Sequence, residues 1–420
     1  MSATTLATIS EEQVRRISET NDEPDWLLER RLDAFAALGD LDMPDVIRTP
    51  GRDWTNLTAL DYETIVDPGN QAEEKDWVGD DQIDVLPIHE AIEREESLVR
   101  DRMGTVVDPQ RNYLTALSTA LFTTGTVVYV PEAVAAEDVT IRTRMNSRSL
   151  FNYTLVVAER NASATILERQ STGDDLDSEA RSASERSSGD EPRDGERYYS
   201  GIVEVTADEN ATVQYGALQN LSAETYNYQV KRGHADTYAT VDWIEGNIGS
   251  RLTKSAVETR LLGDSSESKI VGAFFGHDDQ HFDIASRVWH EAEHTTADLV
   301  TRGVLDDEAR SAYEGVQDVG TGAWDTNSYQ RENTLMLSDE SEADASPKLI
   351  INNHDTEASH SATVGQVDQA DLFYMTSRGV GEDLAEDMLV EGFFVPVMEE
   401  VAVDELREDL DTLVVERLQG

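Results

Sequence analysis

Three patterns in this sequence predict a mainly β fold, a right-handed parallel β-helix core flanked by N-terminal and C-terminal α-helical regions. From Gly125 onward, short β-branched runs such as Thr126–Pro131, Val139–Arg142 and Asn152–Val157 follow one another with no long helix between them. A turn-plus-strand unit recurs at Asn161–Leu167, Asn210–Gln214, Ala235–Val241 and Ser266–Val271, with 28 residues from Thr212 to Thr240 and 29 from Thr240 to Lys269. Weak repeats of short strands with small residues at the corners suit a coiled sheet, because each rung buries its inner face only against its neighbours. At both ends of the chain the apolar period is helical instead. The expected division is a helical region over 1–120, a β-helix core over 121–365 and a helical domain over 366–420.

Taken in order, Ser10 with Gln13 three residues on reads as a capping box opening a short helix. A second helix opens at Pro24, with Leu28, Leu32, Phe35 and Leu38 as its apolar stripe and Glu29, Arg30 and Arg31 as its charged face. Residues 40–84 are rich in Asp and Gly and show little periodicity. A further helix from Pro87 carries Ile88, Ile92, Leu98 and Met103. Inside the strand region, a segment at about 170–197 has almost no apolar residues and reads as a mobile surface insertion, since it has nothing to bury against its ordering entropy. Leu349, Ile350 and Ile351 form a short apolar run of the kind a buried strand shows, and a polar segment with His354 and His360 then leads into helical periodicity. Leu384, Met388, Leu389 and Phe393 define one apolar helix face up to Pro396; Val403, Leu406, Leu410, Leu413 and Val414 define another.

Charge narrows the function classes. The 420 residues include 85 acidic and 34 basic ones, a formal net charge of -51. Such a surface repels phosphates, which argues against nucleic acid and anionic membrane as partners. Its self-repulsion is tolerable only when screened, and in molar salt the Debye length is about 3 Å; the composition is that of an extreme halophile, with most acids solvated rather than functional. Cysteine is absent, so the chain offers no disulfide, thiolate nucleophile or sulfur ligand. Met1–Ile9 lacks a basic leader and a long apolar core, and no later stretch approaches 18 uncharged apolar residues, so a soluble, cytoplasmic protein is expected.

The candidate metal ligands are histidines. His277, His281, His290 and His294 include pairs spaced by four, which on a helix would present two imidazoles on one face. Phe282, Ile284, Ser286 and Val288 alternate with polar positions, however, and on a strand residues four apart lie roughly 13 Å from each other. Solvated or hydrogen-bonded histidines on sheet rungs are the expectation, and their role is left open. Gly320-Thr321-Gly322 lacks the rest of a dinucleotide fingerprint and reads as a turn. Taken on their own, His354 and His360 read as exposed loop residues without a special task.

The motifs around them change that reading. Ser359-His360-Ser361-Ala362-Thr363-Val364-Gly365, Asp371-Leu372-Phe373-Tyr374, Ser377-Arg378-Gly379, Glu386–Phe394, His277–Asp283, Gly303–Asp307 and Glu23–Leu32 together resemble, in one order over most of the chain, the SufB/SufD family of iron-sulfur cluster assembly scaffolds. The resemblance is closest to SufD and implies a parallel β-helix core. It also implies a non-catalytic scaffold that pairs with a SufB-like subunit and docks a SufC-like ATPase through its C-terminal helices, at Met388, Leu389, Phe393 and Phe394. It places His360 where SufD proteins carry a histidine implicated in forming the nascent cluster, so a transient iron-sulfur cluster at the subunit interface, with no stably bound cofactor, is expected. Neutral imidazole is a competent iron ligand. Where many SufD chains have Cys, this one has Ala358, so thiolate must come from the partner. No Walker A motif is present, which fits a chain that does not itself hydrolyse ATP. A homodimeric or SufB-like scaffold is the alternative within the family, the latter disfavoured by the lack of cysteine; a polysaccharide-acting β-helix enzyme is the alternative from another class.

Overall fold

The computed structural model describes residues 9–44, 57–60, 62–66, 73–78, 82–173, 195–401 and 404–419. The first helices are α1 (Glu11–Thr20), α2 (Asp25–Ala37) and the single turn α3 (Tyr62–Ile65). Strands β1 (Glu73–Val78) and β2 (Asp84–Pro87) come next, then α4 (Ile88–Arg94), α5 (Glu96–Arg102) and α6 (Tyr113–Leu121). The solenoid follows in β3 (Thr124–Val130), β4 (Ala135–Met145), β5 (Ser149–Ala158), β6 (Ser163–Thr172), β7 (Arg197–Ala207), β8 (Thr212–Asn220), β9 (Thr225–Ala235) and β10 (Thr240–Asn247). It continues through β11 (Leu252–Leu261), β12 (Glu267–Gly276), β13 (His281–His290), β14 (Thr296–Leu305), β15 (Arg310–Val319), β16 (Thr326–Met336), β17 (Glu342–Ile351) and β18 (Thr356–Gln366). Helices α7 (Gln369–Thr376), α8 (Glu382–Met398) and α9 (Asp404–Gln419) close the chain.

Alternate strands fall into two nine-stranded sheets, β1-β4-β6-β8-β10-β12-β14-β16-β18 and β17-β15-β13-β11-β9-β7-β5-β3-β2. From β3 to β18 every pairing is parallel, which makes the core a parallel β-solenoid. Register places Thr212 beside Thr240 as the repeat spacing predicts, but Thr240 beside Glu267 and Asp242 beside Lys269. The two-residue difference leaves each side chain on its expected face, because the strand period is two.

Rung after rung, a corner is turned through a left-handed residue. Asn161, Asn210, Tyr238, Ser265 and His294 have φ between 58° and 60°. A single non-glycine residue in that region costs roughly 1–2 kcal/mol. The cost is offset by a ladder in which each corner N–H donates to the carbonyl just before the next corner, as Asn210 to Thr237 at 2.8 Å, Tyr238 to Asp264 at 2.9 Å and His294 to Trp324 at 2.7 Å.

The N-terminal helices cover the outer face of the second sheet. Buried Glu204 on β7 anchors them there, accepting from the backbone N–H groups of Gly104 at 2.7 Å, Val106 at 2.9 Å and Val107 at 2.6 Å, and from the Tyr153 hydroxyl at 2.5 Å. Helices α8 and α9 cover the outer face of the first sheet, with Val390, Phe394, Val397, Leu406, Leu410 and Val414 buried against Leu218, Ile244 and Val300. Leu406 fits because β8 has glycine at 216, where a Cβ would come within 2.6 Å of its side chain.

The capping box at Ser10 and Gln13 is present. The phase of α2 differs from expectation: Leu27, Arg31 and Ala34 are its buried residues, while Leu28, Leu32 and Phe35 pack only partly. The helix after Pro87 breaks at Glu95 into α4 and α5. Within 40–84, β1 and β2 pair antiparallel with β4 and β3 and cover the first rung of both sheets. The insertion reading falls mostly on 174–194, outside the described residues; its flanks are strand, since β6 runs to Thr172 and β7 starts at Arg197. Val403 also lies outside them.

Candidate functional site

The solenoid ends on an open rung. Among the described residues β17 and β18 each pair on one side only, which leaves two unpaired strand edges at one end of the solenoid. Leu349–Ile351 is strand as expected but not buried, because no further rung covers it: Ile350 and Ile351 are both exposed, and so is Val364 on β18. An exposed parallel edge with apolar side chains invites pairing with another chain.

His360 lies in the middle of this rung rather than in a loop. β18 pairs in register with β16, setting Ala358 beside Ser328, His360 beside Gln330, Ala362 beside Glu332 and Val364 beside Thr334. The four β16 residues are buried and face the solenoid interior. His360 therefore sits on the inward face of the last rung, exposed at its mouth, with an alanine on either side. His354 is elsewhere, exposed in the bend between β17 and β18 that Asn353 clamps by donating to Ala323 O at 2.6 Å and Gly320 O at 3.1 Å. The two histidines do not form one site. Gln330 and Glu332, directly beneath, were not legible as special: Ser328–Thr334 is polar on both faces, so alternation could not tell inside from outside.

The four candidate ligands His277, His281, His290 and His294 disperse along the fold, and the strand reading of 281–290 holds. His281 and His290 occupy opposite ends of β13, nine residues or roughly 30 Å apart. His290 is buried and pairs with Thr295 and Ser328 hydroxyls, while His294 is a corner residue whose Nδ1 meets Asp325 at 2.8 Å. His277 joins Asp278 and Asp307 at the opposite corner, with ligand-type atoms of the three within 4.8 Å of one another. Its Nδ1 lies 2.8 Å from Asp278 Oδ2, while the Arg417 guanidinium of α9 donates to its Nε2. Burial, and then Arg417, lower the pKa of this imidazole. A metal on Nδ1 would turn an Nε2–H toward a guanidinium that has only donors, so the arrangement suits a latch for α9 better than a metal site.

The residues expected to dock an ATPase divide between two faces of α8. Met388 is 49% exposed and Leu384 is exposed beside it. Leu389 and Phe393 are half-buried, the Phe393 ring lying 4.7 Å from the Arg302 guanidinium. Phe394 is 1% exposed and belongs to the packing of α8 on the sheet. The helix also continues past Pro396 to Met398. Phe373 and Tyr374 on α7 are exposed as well.

Residues 140–393 match the family model described as SUF system FeS cluster assembly, SufBD core domain. The iron-sulfur cluster assembly protein SufD of Bacillus subtilis (strain 168) is 28% identical, with the whole of both chains covered. An iron-sulfur cluster assembly SufBD family protein of Staphylococcus haemolyticus is 25% identical over 98% of this chain and 93% of its own. One from Mycobacterium tuberculosis (strain H37Rv) is 32% identical over 222 residues, 53% of this chain and 26% of that one. With more than half its length matched by the family model and its full length aligned to a SufD, the chain belongs to the SufBD family of iron-sulfur cluster assembly proteins, and within it is SufD-like.

Proposed function

We propose that this chain is the SufD-like, non-enzymatic scaffold subunit of a cytoplasmic cluster assembly complex in a halophile. It pairs with a SufB-like subunit across the open rung formed by β17 and β18, and it docks a SufC-like ATPase through the exposed faces of α7 and α8, chiefly Phe373, Leu384 and Met388. The observation that carries this reading is the position of His360: an imidazole on the inward face of an uncovered rung, framed by apolar strand edges, meets whatever chain completes the solenoid. A nascent cluster held there is transient and draws imidazole from this chain and thiolate from the partner, since this chain has no cysteine. Motion driven by ATP reaches the rung through α8 and α9, whose apolar faces are packed on the same sheet that ends in β18.

Co-expression with SufB-like and SufC-like chains, followed by size-exclusion chromatography in molar KCl, tests the assembly. Co-elution of all three is expected, and His360→Ala is expected to leave the complex intact while removing most of its iron and acid-labile sulfide. A lone chain, or a homodimer closed through the same rung that ignores both partners, defeats the subunit reading, and so does unchanged iron and sulfide in the variant. Depolymerase activity of the isolated chain would establish the enzyme alternative instead.

A further inference from the structure

The two halves of α9 are held on the solenoid by different chemistry. Its first half is seated over glycines: a Cβ at Gly216 would come within 2.6 Å of Leu406, and one at Gly246 within 3.2 Å of Leu410. Arg169 adds ion pairs to Glu405 and Asp409. Past the buried Val414 the apolar seat thins to the partly buried Leu418, and Arg417 makes the polar contact. Its guanidinium donates to His277 Nε2 in the turn between β12 and β13, and also reaches Asn220 Oδ1 at 3.4 Å and Ile248 O at 3.5 Å. His277 Nδ1 lies 2.8 Å from Asp278 Oδ2, and a carboxylate only accepts, so the proton of the neutral imidazole sits on Nδ1. Nε2 is then the lone-pair acceptor that the guanidinium needs. A second proton, on Nε2, would set an N–H against the N–H groups of a permanent cation.

We propose that His277 and Arg417 form a proton-operated latch for the C-terminal turns of α9, closed while the imidazole is neutral and released when it takes a second proton. Three charged groups face the imidazole. Asp278 from its own turn and Asp307 from the turn of the next rung favour the charged form, and Arg417 from α9 opposes it. Asp307 also accepts from the Asp278 N–H at 3.0 Å, which ties the two turns together, while Asp279 is taken by Arg251 at 2.8 Å. With the latch closed, burial and then Arg417 outweigh the two carboxylates and lower the pKa below 6.5. When the helix end lifts, Arg417 departs and water enters, but both carboxylates remain, so the released state holds the proton more tightly. The latch is therefore at full strength above the pKa of the released state, and its hold is lost as pH falls through the lower pKa of the closed one. Release is local, because Leu406 and Leu410 stay on their glycine seats. The device belongs to the chain itself and works with or without a partner subunit.

The test is amide hydrogen exchange of the isolated full chain in molar KCl, from about pH 8 to about pH 5, with the intrinsic pH dependence of exchange divided out. Protection over residues 411–419 is expected to fall on acidification while that of β10 is unchanged. Each pH unit separating the closed and released pKa values reads as about a tenfold loss of protection. His277→Gln still offers an oxygen to Arg417 but does not titrate, so its helix end should keep the same protection throughout. In Arg417→Gln the His277 titration, followed by NMR of the imidazole, should move up from its value in the parent. A parent whose helix end is equally protected across the range overturns the latch. So does a loss of protection that His277→Gln shares, one that spreads into β10, or a His277 titration that Arg417→Gln leaves where it was.

Discussion

His290 and His360 show how position on a rung decides what an imidazole does. Both face the solenoid interior, but His290 is enclosed, with Nδ1 at 2.8 Å from Thr295 Oγ1 and Nε2 at 3.0 Å from Ser328 Oγ. Burial lowers its pKa from 6.5 to about 4. The folded protein therefore binds a proton there less readily than the unfolded chain does, so this contribution to stability is complete above pH 6.5 and is lost as pH falls through 4. At 1.36 kcal/mol per unit the full effect is about 3 kcal/mol. His290→Gln keeps two polar contacts and removes the titration. Denaturant midpoints of the variant and the parent, compared at matched pH, are expected to lie closest above pH 6.5 and to separate toward pH 4, with the parent falling further. A constant difference over that range would show that folding does not lower the His290 pKa. Comparison at matched pH matters here, because acid also neutralises the surface repulsion.

Helix α2 illustrates both what the sequence discloses and what it hides. Its existence and start were readable from Pro24 and the apolar spacing, yet the residue at its centre is Arg31, assigned from sequence to the solvated face. The guanidinium is fully buried, donating to Glu23 at 2.6 and 2.8 Å and to Ala120 O at 3.1 Å, 3.9 Å from the Phe122 ring centroid. No periodicity rule anticipates a buried arginine, because its burial depends on a carboxylate eight residues earlier and a carbonyl on α6. Arg31→Ala strands Glu23 in an apolar interior and is expected to cost about 3–5 kcal/mol, read as a lower denaturant midpoint; a shift under about 1 kcal/mol would place the pair among the weak surface type. Similar reasons explain the other departures. Strand β1 escaped notice because Glu74, Lys75 and Asp76 break any apolar alternation. The two faces of α8 could not be told apart because Leu384, Met388 and Phe394 are all apolar; Ala385, Val390, Phe394 and Val397 do the packing, while Leu384 and Met388 are exposed. The solenoid itself was legible, since its corners and 27–29 residue offsets repeat. The inward placement of His360 was not, since it depends on the register of β18 against β16.

At the scale of the whole molecule, charge and fold pull against each other. With 85 acidic and 34 basic residues, most arginines and lysines of the core already face carboxylates, as in the buried Lys231–Glu245 pair at 2.6 Å and Arg111–Glu258 at 2.6 Å. The C-terminal helices are held partly by such pairs, Arg169 with Glu405 at 2.7 Å and Lys269 with Glu400. Salt screens these attractions and the background repulsion alike, so the sign of its effect depends on which is larger. Exposed pairs contribute about 0–1 kcal/mol each, and the buried ones are screened little. The excess of -51, by contrast, acts across the whole surface. Repulsion should therefore dominate, and Tm is expected to rise steadily as KCl increases from about 0.1 M, where the Debye length is about 10 Å, to 1 M, where it is about 3 Å. Sucrose at equal osmolality controls for the general strengthening of burial by excluded solutes. A Tm that is flat in KCl, or that sucrose raises equally, would mean that the acids are accommodated without screening and that the halophilic reading of the composition is wrong.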